Sequence, residues 1–141
     1  MIKTKAVFFA LLTVLAYSTS AFGKQPVDWS AGIHKPTKSG LIRVTLSCPC
    51  QAIPLNSIHS WNIRLSHEDG SPISDAAIKI AGGMPGHGHG FPTSPVVVAT
   101  SEQGLYKLNG LKFSMLGQWL IELSVNSSVV VADKVSFVVE L

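Results

Sequence analysis

Charge is scarce in this chain: eight Asp and Glu stand against eleven Lys and Arg in 141 residues. No cluster of basic residues is interleaved with aromatics, so the electrostatic footprint of a nucleic-acid interface is missing. No apolar run reaches the roughly 20 residues that a membrane-crossing helix needs; Ala6 to Tyr17 spans twelve. No amphipathic helix of useful length appears, and hence no helical crossover that would demand a parallel α/β sheet. Catalytic patterns are equally lacking. There is no nucleophile elbow with ordered His and Asp, no His-Glu-x-x-His, no phosphate loop and no pair of inward carboxylates. Glu68 and Asp69 fall in a turn, where solvation is the default. The chain therefore reads as a non-enzyme. Cysteines number only two, and a mature chain of this size buries enough surface to fold without a bridge or a metal.

The first 23 residues have the layout of a secretory signal peptide: Lys3 and Lys5, the apolar run, then small residues ending in Ala21-Phe22-Gly23. Its removal leaves nine basic against eight acidic side chains and a net charge of +1 in place of +3. The expected location is the periplasm. The alternative is a membrane anchor formed by the uncleaved N-terminal segment. Residues 24–40 contain two prolines and no sustained period, which reads as an irregular N-terminal arm. One domain then occupies 41–141.

Within that domain, short runs rich in Val, Ile, Leu and Trp alternate with polar residues at a period of two. Expected strands are Leu41 to Ser47, His59 to Ser66, Ile73 to Ala81, Pro95 to Thr100, Leu105 to Leu108, Gln118 to Val125, and the pair Val129 to Val131 and Val135 to Glu140. Turn residues separate them. About seven short strands at fairly regular spacing indicate an all-β, immunoglobulin-like antiparallel sandwich.

One segment breaks the alternation. Residues 82–93 read GGMPGHGHGFPT. In an extended backbone, residues i and i+2 point to the same side, so His87 and His89 can present two imidazoles to one ion. The glycines around them remove bulk and permit positive φ. Met84 adds a soft thioether, and no carboxylate lies within the segment; such a set favours copper over calcium or magnesium. His59, at the start of a strand, and Met115, just before another, would complete a mixed nitrogen and sulfur site if their strand ends share the rim with the loop. The opposing reading has the histidines donating hydrogen bonds that hold a turn, and the methionines filling gaps in the core.

Cys48 and Cys50 flank a single proline. Across one residue of extended chain their Cα atoms would lie about 6.5 to 7 Å apart, at the limit of what a disulfide tolerates. As free thiols they would be a soft two-sulfur grip for copper, or a redox pair. A strained bridge is the other expectation.

Several motifs occur together in order: Asp69-Gly70-Ser71-Pro72-Ile73, Ala76-Ala77, the 82–90 segment, Gly104-Leu105-Tyr106, and Phe113-x-Met115-x-Gly117-x-Trp119. Over His59 to about Leu123 they resemble the YtkA-like family, small exported or membrane-anchored β-sandwich domains related to FixH. The resemblance implies a cell-envelope module, with the FixH-type members associated with the assembly of copper-containing respiratory oxidases. It implies as partner an envelope cuproprotein or a respiratory oxidase under assembly. The cysteine pair is not part of that pattern. Two functions follow as expectations: a copper-binding or copper-handling envelope protein, or a metal-free immunoglobulin-like interaction or assembly module.

Overall fold

In the computed structural model, which describes residues 27–141, nine strands follow in chain order. They are β1 (Ile33–Pro36), β2 (Arg43–Ser47), β3 (His59–Ser66), β4 (Ala77–Met84), β5 (His89–Gly90), β6 (Val96–Ala99), β7 (Leu105–Leu111), β8 (Gln118–Asn126) and β9 (Asp133–Glu140). The expected signal peptide and the start of the arm lie outside the described residues. Two antiparallel sheets form, ordered β1-β2-β3-β7-β6 and β5-β4-β8-β9. This is the all-β sandwich that the period of two requires. Among the described residues, no helix is long and apolar enough to cross a membrane.

Register explains the core. On β8, Trp119, Ile121 and Leu123 stand opposite Val139, Phe137 and Val135 of β9, so their side chains share one face. Trp61, Ile63 and Leu65 of β3 and Val44 and Leu46 of β2 supply the facing layer, and all of these side chains are buried. Each contributes about 1.5 to 3 kcal/mol on leaving water. A bulge between His59 and Trp61, opposite Leu108 and Leu111, shifts the end of β3 against β7. Such bulges re-aim the side chains at a sheet's end.

Apart from the β4–β5 hairpin described below, three stretches depart from the pattern expected. The arm is not irregular throughout: Ile33–Pro36 pairs with β2 from Ile33↔Leu46 to Pro36↔Arg43. Four residues are too few to show a period, and Pro36 is tolerated because β1 is an edge strand. The strand expected from Ile73 begins only at Ala77. Ile73 is buried without being part of a strand, and the preceding loop is held by Tyr106, whose hydroxyl donates to the Ile73 carbonyl at 3.0 Å and accepts the Ala76 N–H at 3.0 Å. Val129 to Val131 is a turn rather than a strand: Ser127 N–H donates to the Val130 carbonyl, Val130 is buried and Val131 is exposed.

The loop after β1 is fastened to β9 by Asp133. Its carboxylate accepts the Ser39 hydroxyl and backbone N–H and the Lys134 N–H. Burial pushes the Asp133 carboxyl up, but the hydrogen bonds from Ser39, Thr37 and Lys134 outweigh it and hold the pKa below its ordinary 3.8. A carboxyl whose pKa falls on folding stabilises the protein fully above its unfolded value, and that stabilisation is lost as the pH drops through the lowered one. Burial also raises the Tyr106 phenol above its usual range.

Tyr106→Phe is expected to cost about 1 to 2 kcal/mol, because the Ala76 N–H and Ile73 carbonyl lose their partner. Urea unfolding measures it, and an unchanged midpoint would contradict the role. Asp133→Asn is expected to cost about 2 kcal/mol at neutral pH, and progressively less as the pH falls below the ordinary carboxylate range, where the wild-type carboxylate itself takes up a proton. Equal losses at neutral and acid pH would contradict the assignment.

Candidate metal centre

Gly82 and Gly83 carry β4 past Ala81 with φ of 137° and 144°. A Cβ at Gly82 would collide with the Leu120 carbonyl, and one at Gly83 with His89 O and Gly90 Cα. The hairpin can close this tightly only without side chains there. Pro85–His87 then forms one 3-10 turn, Gly88 takes φ of 69° and donates its N–H to Pro85 O at 3.2 Å. Strand β5 returns along β4 with His89 opposite Met84 and Gly90 opposite Gly83.

The two histidines therefore meet across a turn and not along an extended chain. Their ring centres are 5.9 Å apart with planes tilted by 49°, and both residues are exposed. Imidazoles that share an ion through nitrogens about 2 Å from it have ring centres roughly 5 to 6.5 Å apart, so the spacing suits one ion. His89 Nδ1 lies 3.1 Å from Gly90 O. A carbonyl only accepts, so Nδ1 carries a proton, and in the neutral ring that leaves the Nε2 lone pair free, the arrangement typical of a metal-ligating histidine.

Met84 is the cross-strand neighbour of His89, and opposed residues in an antiparallel pair share a face. It is buried, with its methyl carbon 2.9 Å from the position a Cβ would take on Gly117. Gly117, at φ of 124°, leaves the room that the thioether fills. Met115 lies two residues earlier and is 40% exposed. Its carbonyl accepts the Trp119 indole N–H at 3.1 Å. Met84, His87, His89 and the loop bearing Met115 thus belong to one rim.

His59 does not join the pair. Its Nδ1 donates to Ser57 O at 2.9 Å, and its Nε2 is buried with no partner. The ring packs on Phe113 at 5.4 Å; Phe113 packs on Trp119 at 5.2 Å, and Trp119 on His89 at 6.0 Å. Two aromatic rings therefore link the separated histidine positions. Among the described residues, no three His, Cys, Asp or Glu side chains are grouped to hold an ion. What the rim brings together is the two imidazoles of the hairpin, with Met84 opposite His89 across the strand pair.

Cys48 and Cys50 form a disulfide with Cα atoms 5.1 Å apart. The extended spacing expected of them does not apply, because β2 ends at Ser47 and the chain bends at Pro49 and Cys50. In this state they offer copper no thiolate. So short a loop constrains the unfolded chain by only about 1.6 kcal/mol. Sequence reasoning also missed the platform under the loop. Phe91 stacks on Trp119 at 6.0 Å with planes 6° apart, and His89 meets the same indole edge-on. The placement of Phe91 directly after the glycine-histidine segment was the available signal.

A family model described as YtkA-like matches residues 42–124, more than half of the chain. The chain belongs to the YtkA-like family. No curated protein and no solved structure matches it significantly.

Gly117→Ala is expected to cost about 2 kcal/mol through backbone strain and displacement of Met84. Combined with Met84→Ala, the losses are expected to fall short of their sum by about 0.5 to 1 kcal/mol, since the clash disappears with the methyl group. Strict additivity in urea unfolding would contradict the contact.

Proposed function

We propose that this YtkA-like chain is a non-catalytic copper-handling protein of the cell envelope, exported to the periplasm. The observation that carries the reading is the ring pair of His87 and His89 at 5.9 Å, with the Nδ1 proton of His89 committed to Gly90 O. Imidazole nitrogen next to thioether sulfur, with no carboxylate in the segment, is a donor set suited to copper. Met84 supplies sulfur from the protein side, and Met115 from the solvent side.

Two exposed imidazoles, with the buried Met84 on one side and the exposed Met115 on the other, would hold an ion without enclosing it. Copper held this way leaves by ligand exchange when a partner offers more or better donors, which suits transfer to an envelope cuproprotein or a respiratory oxidase under assembly. The chain's own part is to orient His89 against Trp119 and Gly90 O, and to keep Met84 beneath the hairpin. No proton transfer or covalent step is asked of any side chain.

A second reading has support of its own. Leu55, Ile58, Met115 and Leu116 are apolar and 40 to 68% exposed, and Leu55 bridges to Phe113 while Ile58 adjoins His59. Exposed apolar residues around one end suit a protein partner, so the loop can act in a metal-free assembly contact.

The mature protein is expected to bind Cu(I) stoichiometrically and Cu(II) more weakly, and the His87→Ala/His89→Ala variant to lose both. Met115→Leu is expected to weaken Cu(I) selectively, because thioethers prefer the softer ion. Equilibrium dialysis with each ion decides. Binding no better than that of the double variant would overturn the copper reading and leave the assembly module.

A further inference from the structure

The Cys48–Cys50 bridge cannot be explained as a staple. It spans one residue and joins the end of β2 to the bend that follows, so it ties no two elements together. Its two sulfurs also have unlike settings. Cys48 is buried, with its N–H donating to the Trp29 carbonyl at 2.9 Å. Cys50 is half-exposed and lines a cleft of about 670 Å³ together with Trp29, Ile53, Val138 and Leu141. The carboxylates Asp28 and Glu140 line the same cleft.

We infer that Cys48–Cys50 is an exchangeable disulfide, reached through Cys50 from this cleft, whose reaction partner is a protein dithiol. The inference does not rest on copper binding. A thiolate of the partner attacks Cys50 Sγ, since exchange requires access to the sulfur attacked. The Cys48–Cys50 bond breaks, and Cys48 leaves with the electron pair and takes up a proton. The partner's second thiolate then attacks its own sulfur in the mixed disulfide, releasing Cys50, which is protonated in turn. Two electrons and two protons have passed from the partner to this chain, and the partner is left with the disulfide. The apolar walls suit an apolar face on that partner, and the two carboxylates suit a basic rim around its thiols.

The cleft lies at the same end of the sandwich as the histidine hairpin. Leu141 lines it, and Leu141 exchanges both backbone hydrogen bonds with Gly117, at 3.0 and 3.1 Å, the glycine against which Met84 packs. A reduced pair would add two thiols beside that rim.

The test uses metal-free, full-length mature protein without denaturant, in buffers poised with graded mixtures of reduced and oxidised dithiothreitol. Alkylation and mass measurement report the thiols, while near-ultraviolet circular dichroism of the tryptophans reports the fold. Reversible gain of two thiols with the fold retained is expected, and the same midpoint in the His87→Ala/His89→Ala variant. In single-cysteine variants, Cys50 (in Cys48→Ser) is expected to react with an aromatic disulfide reagent at least about 100-fold faster than Cys48 (in Cys50→Ser), and the two to become equal in urea. Reduction only on unfolding, or equal native reactivity, would overturn the inference. Failure of copper binding would leave it standing.

Discussion

The Trp119 indole ties together the end of the sandwich that carries the histidine hairpin. Its faces and edges meet Phe91, Phe113 and His89, and its N–H is bonded to the Met115 carbonyl. It stands on β8 with its side chain fully buried, so its position is set by the core and passed outward to the hairpin. A hairpin with five glycines between residues 82 and 90 would otherwise retain many conformations, and two histidines on it would have to be ordered by whatever they bind. Packing one imidazole edge-on to a core tryptophan removes part of that cost before any ligand arrives.

The sandwich was legible in the sequence because one face of most strands is dry. Trp119 to Val125 and Trp61 to Leu65 state the period of two without ambiguity, and their burial follows it. Where burial and strand part company, the sequence misled. Ile73 and Val130 are buried from loops, and their apolar character says nothing of the backbone. β1 escaped notice because four residues ending in proline carry too little pattern. Gly82 and Gly83 read as loop, yet they belong to β4, since a hairpin this tight admits no side chains.

The site was legible in part, and for a different reason. His87, His89 and Met84 lie within six residues, and local chain geometry brings them together. Met115 required the β7–β8 loop to reach the same rim, which the Gly117 contact with Met84 secures. His59 required an adjacency between sheets that no periodicity encodes, and the aromatic rings of Phe113 and Trp119 occupy the space instead. The cysteine pair erred in the other direction: spacing along an extended chain is a poor guide where a proline bends it. One end of the sandwich therefore carries two separate groups of side chains, His87 and His89 on the hairpin with Met84 opposite, and a disulfide in the cleft beyond Leu141.

The most direct measurement is X-ray absorption at the copper edge of Cu(I)-loaded protein, compared with a variant in which Cys48 and Cys50 are both serine. Histidine nitrogen together with sulfur scattering is expected, and the sulfur is expected to persist in the variant because it comes from methionine. Sulfur that vanishes with the cysteines, or scattering from light atoms alone, would contradict a copper site built on His87, His89 and the methionines.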